Sequence, residues 1–95
     1  MNYKILQIKH DPATLSEYFD PESKLNHRVI EKKQIDGGMV LLVGNMPVAD
    51  ATYFGYDVLI CRNIKLPKSE DWGTFAWSYL NFDLAKHQFE AVKSI

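Results

Sequence analysis

The chain has 95 residues, a formal net charge of −1, 46% hydrophobic residues and 24% charged residues. A domain usually needs roughly 100–150 residues, so residues 1–95 are predicted to form one domain. The composition is that of an ordinary globular protein and excludes wholesale disorder. A pI near 6.3 removes the global electrostatic reason to expect a nucleic-acid partner.

The expected compartment is the cytoplasm. The longest stretch without a charge, residues 37–49, contains glycine, asparagine and proline, so no transmembrane helix is predicted. The first residues lack the apolar stretch and cleavage site of a signal peptide. The single cysteine, Cys61, cannot form an internal disulfide, which is typical of a reducing compartment.

The first 20 residues predict a strand followed by a short helix. Apolar and polar side chains alternate through residues 3–9, as in a half-buried strand. Asp11 and Pro12 then have the types preferred at the N-cap and the first position of a helix. The apolar residues that follow have the i, i+3, i+4 spacing of one helix face: Leu15, Tyr18 and Phe19.

The middle of the chain predicts a hairpin. Residues 27–35 alternate and carry many charges, which favours an edge-like strand. Asp36-Gly37-Gly38 supplies the positive φ of a tight turn. Residues 39–43 are apolar on both faces and predict a central strand, and residues 44–47 are expected to end it.

The next two segments predict a strand and an element that fits two patterns. Residues 52–62 are rich in β-branched and aromatic residues and predict a strand, with Gly55 as a bulge. Residues 69–80 fit both a helical stripe and an alternating strand pattern. The helix is favoured because Ser69 suits the N-cap.

Residues 84–93 predict a final helix with Phe82, Ala85, Phe89 and Val92 on one face. The predicted order is therefore β-α-β-β-β-α. This order predicts an α+β domain: a small antiparallel or mixed sheet of about four strands with two or three helices on one face.

Known catalytic and cofactor motifs are missing from the sequence. It contains no phosphate-binding glycine loop, His-Glu-x-x-His zinc motif or Gly-x-Ser-x-Gly elbow. We therefore predict no catalytic residue, cofactor or metal. The alternative is an enzyme or small-molecule-binding domain with Cys61 as nucleophile and one of three histidines as base: His10, His27 or His87.

Two short basic blocks leave weak nucleic-acid binding as a second alternative. If the blocks were adjacent in the fold they would contact phosphates, but a solvated face explains them equally well. The blocks contain seven basic residues: Lys24, Arg28, Lys32, Lys33, Arg62, Lys65 and Lys68.

The aromatic content points to a contact surface. Twelve aromatic residues among 95 exceed what a core of this size encloses, so some should reach the surface. We therefore expect a non-enzymatic module that binds a larger protein; a homodimer or an ordinary core would also absorb the aromatics. The candidate contact residues are Met46, Tyr53, Phe54, Trp77, Arg28 and Lys32.

The opening of the chain resembles a known family. Residues 1–9, Met-Asn-Tyr-Lys-Ile-Leu-Gln-Ile-Lys, followed by Tyr18-Phe19-Asp20, resemble the YodL-like small proteins of conjugative and phage elements in Gram-positive bacteria. The resemblance covers about the first 20 residues. It implies a mobile-element or phage accessory protein, from a neighbourhood rich in antirestriction and anti-CRISPR inhibitors that bind a defence nuclease stoichiometrically. It assigns no functional residue.

Overall fold

A computed structural model describes residues 14–20, 24–47, 52–62 and 72–94. These residues form a five-stranded antiparallel sheet, in which each strand pairs with the next along the chain, and one α-helix. No helix in these ranges is long and apolar enough to cross a membrane. The elements are β1 (Glu17–Asp20), β2 (Leu25–Ile35), β3 (Gly38–Pro47), β4 (Gly55–Arg62), β5 (Ala76–Tyr79) and α1 (Phe82–Ala91).

The β2–β3 hairpin confirms the predicted turn. Ile35 pairs directly with Gly38, so Asp36 and Gly37 form a two-residue connection. Gly37 has a φ of 96°, a conformation that glycine adopts without steric cost. The Asp-Gly-Gly motif therefore sets the register of the hairpin.

A β-bulge in β2 reverses which side chains face which way. Val29 pairs with Val43 and Glu31 pairs with Leu42, so Ile30 is the extra residue. Val29 and Ile30 pack against different cores, as adjacent strand residues do, and the bulge then places Glu31, opposite Leu42, on the same face as Ile30. Regular alternation without a bulge would have placed every later side chain of β2 on the other face.

The two faces of the sheet carry separate cores. The face covered by α1, here called the helix face, contains these buried residues: Val40, Leu42, Val58, Ile60, Ala85, Phe89 and Val92. The opposite face contains a second buried set: Leu15, Leu41, Val43, Leu59, Cys61 and Ala76. The side chains of β3 and β4 are buried on both faces of the sheet, which explains why the sequences of these strands are mostly apolar without alternation.

The final helix confirms its prediction, and its start is capped. Asn81 is the N-cap: its Oδ1 accepts hydrogen bonds from the backbone N–H groups of Asp83, at 2.7 Å, and Leu84, at 3.3 Å. Salt bridging of Lys86 to Glu31 on β2 ties the helix to the sheet.

Two predicted helices are wrong where the structure describes them. Residues 17–20, expected in the first helix, form β1 and pair residue for residue with residues 25–28. The segment is too short for a stable helix, and its aromatic residues suit a pleated surface. The predicted strand over residues 3–9 and the helix start at Asp11 and Pro12 lie outside the described residues.

The segment that fitted both patterns is a strand over its described C-terminal part. Residues 76–79 form β5, and the carbonyl of Phe75 accepts a hydrogen bond from Ile60 at 2.8 Å. Pairing with β4 places Trp77 opposite Val58, so the Trp77 side chain packs on the helix-face core. This packing stabilises the strand although the local sequence also fits a helix. Tertiary pairing therefore overrides the helical stripe.

Three strand details also differ from prediction. β3 continues through residues 44–47 instead of ending before them. Gly55 pairs regularly with Asn45, and the bulge lies in β2 instead. β2 is not a simple edge strand, because β1 pairs with residues 25–28. The α+β class is confirmed, but the described residues contain five strands and one helix rather than about four strands and two or three helices.

Candidate functional site

Buried polar side chains cross one end of the opposite face. His27 on β2 and Asn45 on β3 are paired residues, 3% and 2% exposed, and His27 Nδ1 lies 2.6 Å from Asn45 Oδ1. Asp57 on β4 is fully buried. A buried polar group is tolerated only when it is hydrogen-bonded, so these side chains must be held in fixed positions.

Ser78 on β5 connects the buried carboxylate to an indole. Its hydroxyl donates to Asp57 Oδ1 at 2.7 Å and accepts from Trp72 Nε1 at 3.1 Å. Because the hydroxyl donates directly to the carboxylate, no imidazole stands between them as it does in a Ser-His-Asp triad. We call His27, Asn45, Asp57, Ser78 and Trp72 the polar row.

A shallow pocket of about 170 Å³ lies at this end of the sheet. Gly55, which pairs with Asn45, contributes no side chain there. A Cβ at Gly55 would have one neighbouring heavy atom within 4 Å, the carbonyl oxygen of Tyr79 at 3.5 Å, which is an ordinary contact. The pocket is lined by Asn45, Phe54, Gly55, Tyr56, Asp57, Ser78, Tyr79 and Leu80.

Gly44 lies one position before Asn45, and its missing side chain is replaced by an aromatic ring. A Cβ at Gly44 would stand 2.4 Å from Cε1 of Tyr53. The Tyr53 ring lies 5.7 Å from the Tyr56 ring, which makes an edge contact with Phe82 at 5.4 Å. These rings connect the β3–β4 connection to the start of α1.

An apolar surface adjoins these rings. Four of the five exposed large hydrophobic residues in the described ranges belong to the segments that meet here: Phe54 (47% exposed), Leu80 (86%), Phe82 (39%) and Leu84 (59%). Phe54 and Leu80 line the pocket together, and Phe82 contacts Tyr56 of the same pocket. We call Phe54, Leu80, Phe82 and Leu84 the apolar corner.

The exposure of Leu80 has a local cause. Leu80 precedes the N-cap Asn81, and a hydrophobic residue at that position often packs on the fourth helical residue. Here that residue is Ala85, which is small and already buried against the sheet. Leu80 therefore remains in solvent.

The structure brings together two of the six predicted contact residues. Tyr53 is half-buried on Gly44, and Phe54 is part of the apolar corner. Met46 is 6% exposed and Trp77 packs in the helix-face core, so both offer a partner little area. Arg28 pairs with Glu17 at 3.5 Å, and Lys32 Nζ donates to the Leu15 carbonyl at 3.2 Å.

The thiol–imidazole alternative loses one of its pairs. Cys61 is 1% exposed, and burial raises its pKa from 9.0 to about 12. Cys61 pairs with Met39 and His27 pairs with Asn45, which places them six residues, about 20 Å, apart along β3. His87 is exposed on α1, and His10 lies outside the described residues.

The described part of the chain brings together neither a set of metal ligands nor the basic residues that the nucleic-acid alternative needs. No group of three or more potential ligand side chains there is placed to hold a metal ion. Lys33 lies 4.9 Å from the Phe89 ring and Arg62 lies 3.8 Å from the Phe75 ring. Lys32 pairs with Leu41 and Lys33 with Val40, so strand alternation places these basic side chains on opposite faces and they do not share one stripe.

Sequence reasoning missed Leu80, Phe82 and Leu84 as surface residues. It placed Leu80 on the stripe of a helix and Phe82 on the buried face of another. The sequence Leu80-Asn81-Phe82-Asp83 contains a signal for this, because asparagine is a preferred N-cap residue. A helix that begins after Asn81 separates Leu80 from Phe82, so the two side chains cannot lie on one helical stripe.

Comparison of the chain with protein-family models, with curated protein sequences and with solved structures gives no significant match.

Proposed function

We propose that the protein is a non-enzymatic module that binds a larger protein through the apolar corner. The observation that carries this proposal is that two segments in contact, residues 53–56 and residues 80–84, expose four large hydrophobic side chains. Clustered exposed apolar residues next to a pocket are typical of interaction sites, whereas scattered single ones are not.

The energetics favour such a use. Full burial of a leucine or phenylalanine side chain contributes about 1.5–3 kcal/mol, and each residue of the apolar corner can contribute in proportion to its exposed fraction, which is largest for Leu80 at 86%. The aromatic contacts beneath hold Phe82 in place, which lowers the entropy lost on binding. A small rigid domain needs no catalytic group to act in this way.

The class of partner follows from the resemblance of the first 20 residues to the YodL-like proteins. We propose a bacterial defence nuclease, of the restriction or CRISPR type, blocked by stoichiometric binding in the cytoplasm. The apolar corner would cover a surface that the nuclease needs for DNA or for assembly.

The test uses two phenylalanines with the same exposure. Phe54 and Phe19 are both 47% exposed, but Phe19 lies on β1, the edge strand farthest from β5. Immobilised wild-type protein is passed over lysates of bacteria with restriction and CRISPR systems, and retained proteins are identified by mass spectrometry. Affinity for the purified retained nuclease is then measured for wild type, Phe54→Ser, Leu80→Asp and Phe19→Ser.

We expect the Phe54→Ser and Leu80→Asp variants to bind at least 10-fold more weakly and Phe19→Ser to bind as wild type does. Phage plaque counts on nuclease-bearing hosts should fall in the same order. Retention of no protein, or equal loss in Phe19→Ser, would contradict the proposal. A dimer in analytical ultracentrifugation that Leu80→Asp dissociates would instead assign the corner to a second copy of the chain.

A further inference from the structure

We infer that the partner anchors itself by inserting one apolar side chain, of leucine or phenylalanine size, into the pocket over Gly55. This inference rests on the proposed function and specifies how the apolar corner recognises its partner. It starts from the absent side chain at Gly55, which leaves space on the opposite face where the next residues of β4 on that face, Asp57 and Leu59, are fully buried.

The size of the pocket selects a single side chain. Sites for cofactors and drug-sized ligands enclose about 300–1,000 Å³. The volume over Gly55 is about 170 Å³ and is open to solvent on one side. A space of this size accommodates the end of one bulky side chain and is too small for a nucleotide or a flavin.

The chemistry of the pocket selects an uncharged, apolar occupant. Its accessible surface is mostly apolar. The two polar side chains deepest in it, Asn45 and Asp57, are nearly or fully buried and already bonded to His27 and Ser78. An ammonium or guanidinium group entering there would lose its hydration against a mostly apolar surface, because the Asp57 side chain is not exposed.

The surroundings of the pocket favour a protein as the source of that side chain. Phe82 and Leu84, in the first helical turn after Leu80, expose further apolar area outside the pocket lining, which a small molecule seated over Gly55 would leave uncovered. Asp83 is exposed, lies between the latter two residues in sequence and adds a negative charge to this helical turn. A partner whose apolar anchor is flanked by a lysine or arginine complements both features.

The first experiment tests the pocket with a defined probe. Wild-type protein labelled with ¹⁵N is titrated with N-acetyl-leucine methylamide, and with the alanine and lysine analogues as controls. We expect saturable amide shifts at Gly55, Asp57, Ser78 and Leu80, with a Kd on the order of millimolar for the leucine compound alone. The absence of shifts at these amides, or equal shifts with the alanine or lysine compound, would overturn the inference.

Two variants separate the pocket from the surface around it. Gly55→Val fills the pocket from its floor, and Gly55→Ala fills it partly should the valine variant not fold; the strand conformation at Gly55 accepts either side chain, because its φ is not positive. Leu84→Asp alters the apolar corner outside the pocket lining.

Binding of these variants is measured to the purified nuclease identified in the lysate experiment. We expect Gly55→Val to weaken binding at least 10-fold and Gly55→Ala to weaken it by a smaller factor. If Leu84→Asp weakens binding while both Gly55 variants bind as wild type does, the apolar corner contacts the partner but no partner side chain enters the pocket over Gly55. If neither type of variant changes the affinity, the proposed function fails as well.

Discussion

Two glycines on opposite faces of the sheet, Gly44 and Gly55, differ in what occupies the space of the missing side chain. At Gly44, the Tyr53 ring occupies the place of a Cβ; at Gly55, the space holds no side chain and lies next to the exposed Phe54 and Leu80. The glycines lie on adjacent rows of the same strand pair, since Gly55 pairs with Asn45 and Gly44 with Tyr56. One glycine makes room for the protein's own packing, and the other leaves room for something else.

The largest expected effect is at Gly44. Gly44→Ala places a methyl group within 2.5 Å of two Tyr53 ring atoms, so the ring must leave its contacts with Gly44 and Tyr56. We expect a loss of about 2–3 kcal/mol in the free energy of unfolding, the upper range for overpacking, measured by urea denaturation.

Tyr53→Ala supplies the control for this substitution. In the Gly44→Ala/Tyr53→Ala double variant the added methyl group meets no ring, so the two losses should be less than additive by about 1 kcal/mol or more. Strict additivity would show that Tyr53 does not occupy the place of the missing side chain.

The next effect tests the polar row. Ser78→Ala removes the donor to the buried Asp57 carboxylate and the acceptor for Trp72 Nε1. We expect a loss of about 1–2 kcal/mol in the free energy of unfolding, because a buried acceptor loses one of its partners. Ser78→Thr keeps the hydroxyl on a strand-favouring residue and should stay within about 0.5 kcal/mol of wild type. Equal losses of unfolding free energy in both variants would indicate that packing around residue 78, and not its hydroxyl group, determines the stability.

Cys61 tests whether the opposite face is closed away from the pocket. Burial raises the pKa of its thiol from 9.0 to about 12, so between these values the native state keeps a proton that the unfolded state releases. The contribution of Cys61 to the free energy of unfolding is therefore constant below pH 9 and falls above it, by about 1.4 kcal/mol for each pH unit. Urea denaturation at pH 8 and pH 10 measures this difference.

Cys61→Ala should lack the cysteine part of that decline, while the tyrosine and lysine contributions remain in both proteins. An aromatic disulfide reagent should also label Cys61 only as fast as the protein unfolds. Rapid labelling of the native protein at pH 8 would show that the opposite face is open at Cys61 as well as at Gly55.

The smallest expected effect is at Gly55. Gly55→Ala adds a methyl group that meets one carbonyl oxygen at an ordinary distance, and it removes conformational freedom from the unfolded chain. We expect a gain of about 0.5 kcal/mol in the free energy of unfolding, opposite in sign to Gly44→Ala. A loss of 1 kcal/mol or more would show that the pocket is narrower than the structure indicates.

Sequence reasoning recovered the centre of the fold better than its edges. The Asp-Gly-Gly turn and the apolar run after it specify β3 and its hairpin, because both local turn chemistry and burial on two faces point to the same structure. β1 and β5 have four residues each, too few to show a period by themselves, and the sequence around β5 fits a helical spacing as well as an alternating one. Only pairing with a neighbouring strand decides such segments.

The candidate site was predictable in part for a related reason. The aromatic content of the chain predicts Tyr53 and Phe54 as contact residues, and the structure places both just before β4, which begins at Gly55 instead of residue 52. Leu80 and Phe82 became surface residues only because β5 ends and α1 begins between them. Gly55 could not be recognised as the floor of a pocket, because in sequence a glycine that leaves space and a glycine that bends a strand are the same residue.

The order of the strands bears on how the chain acquires its fold during synthesis. Each of the strands β2 to β5 pairs with the strand made just before it, so this part of the sheet can be assembled in the order of synthesis. The helix that covers Val40, Leu42, Val58 and Ile60 is encoded after all five strands. Until it emerges from the ribosome, the helix face of the nascent sheet is an uncovered apolar surface, and this is the stage at which the protein is most exposed to aggregation and to chaperones.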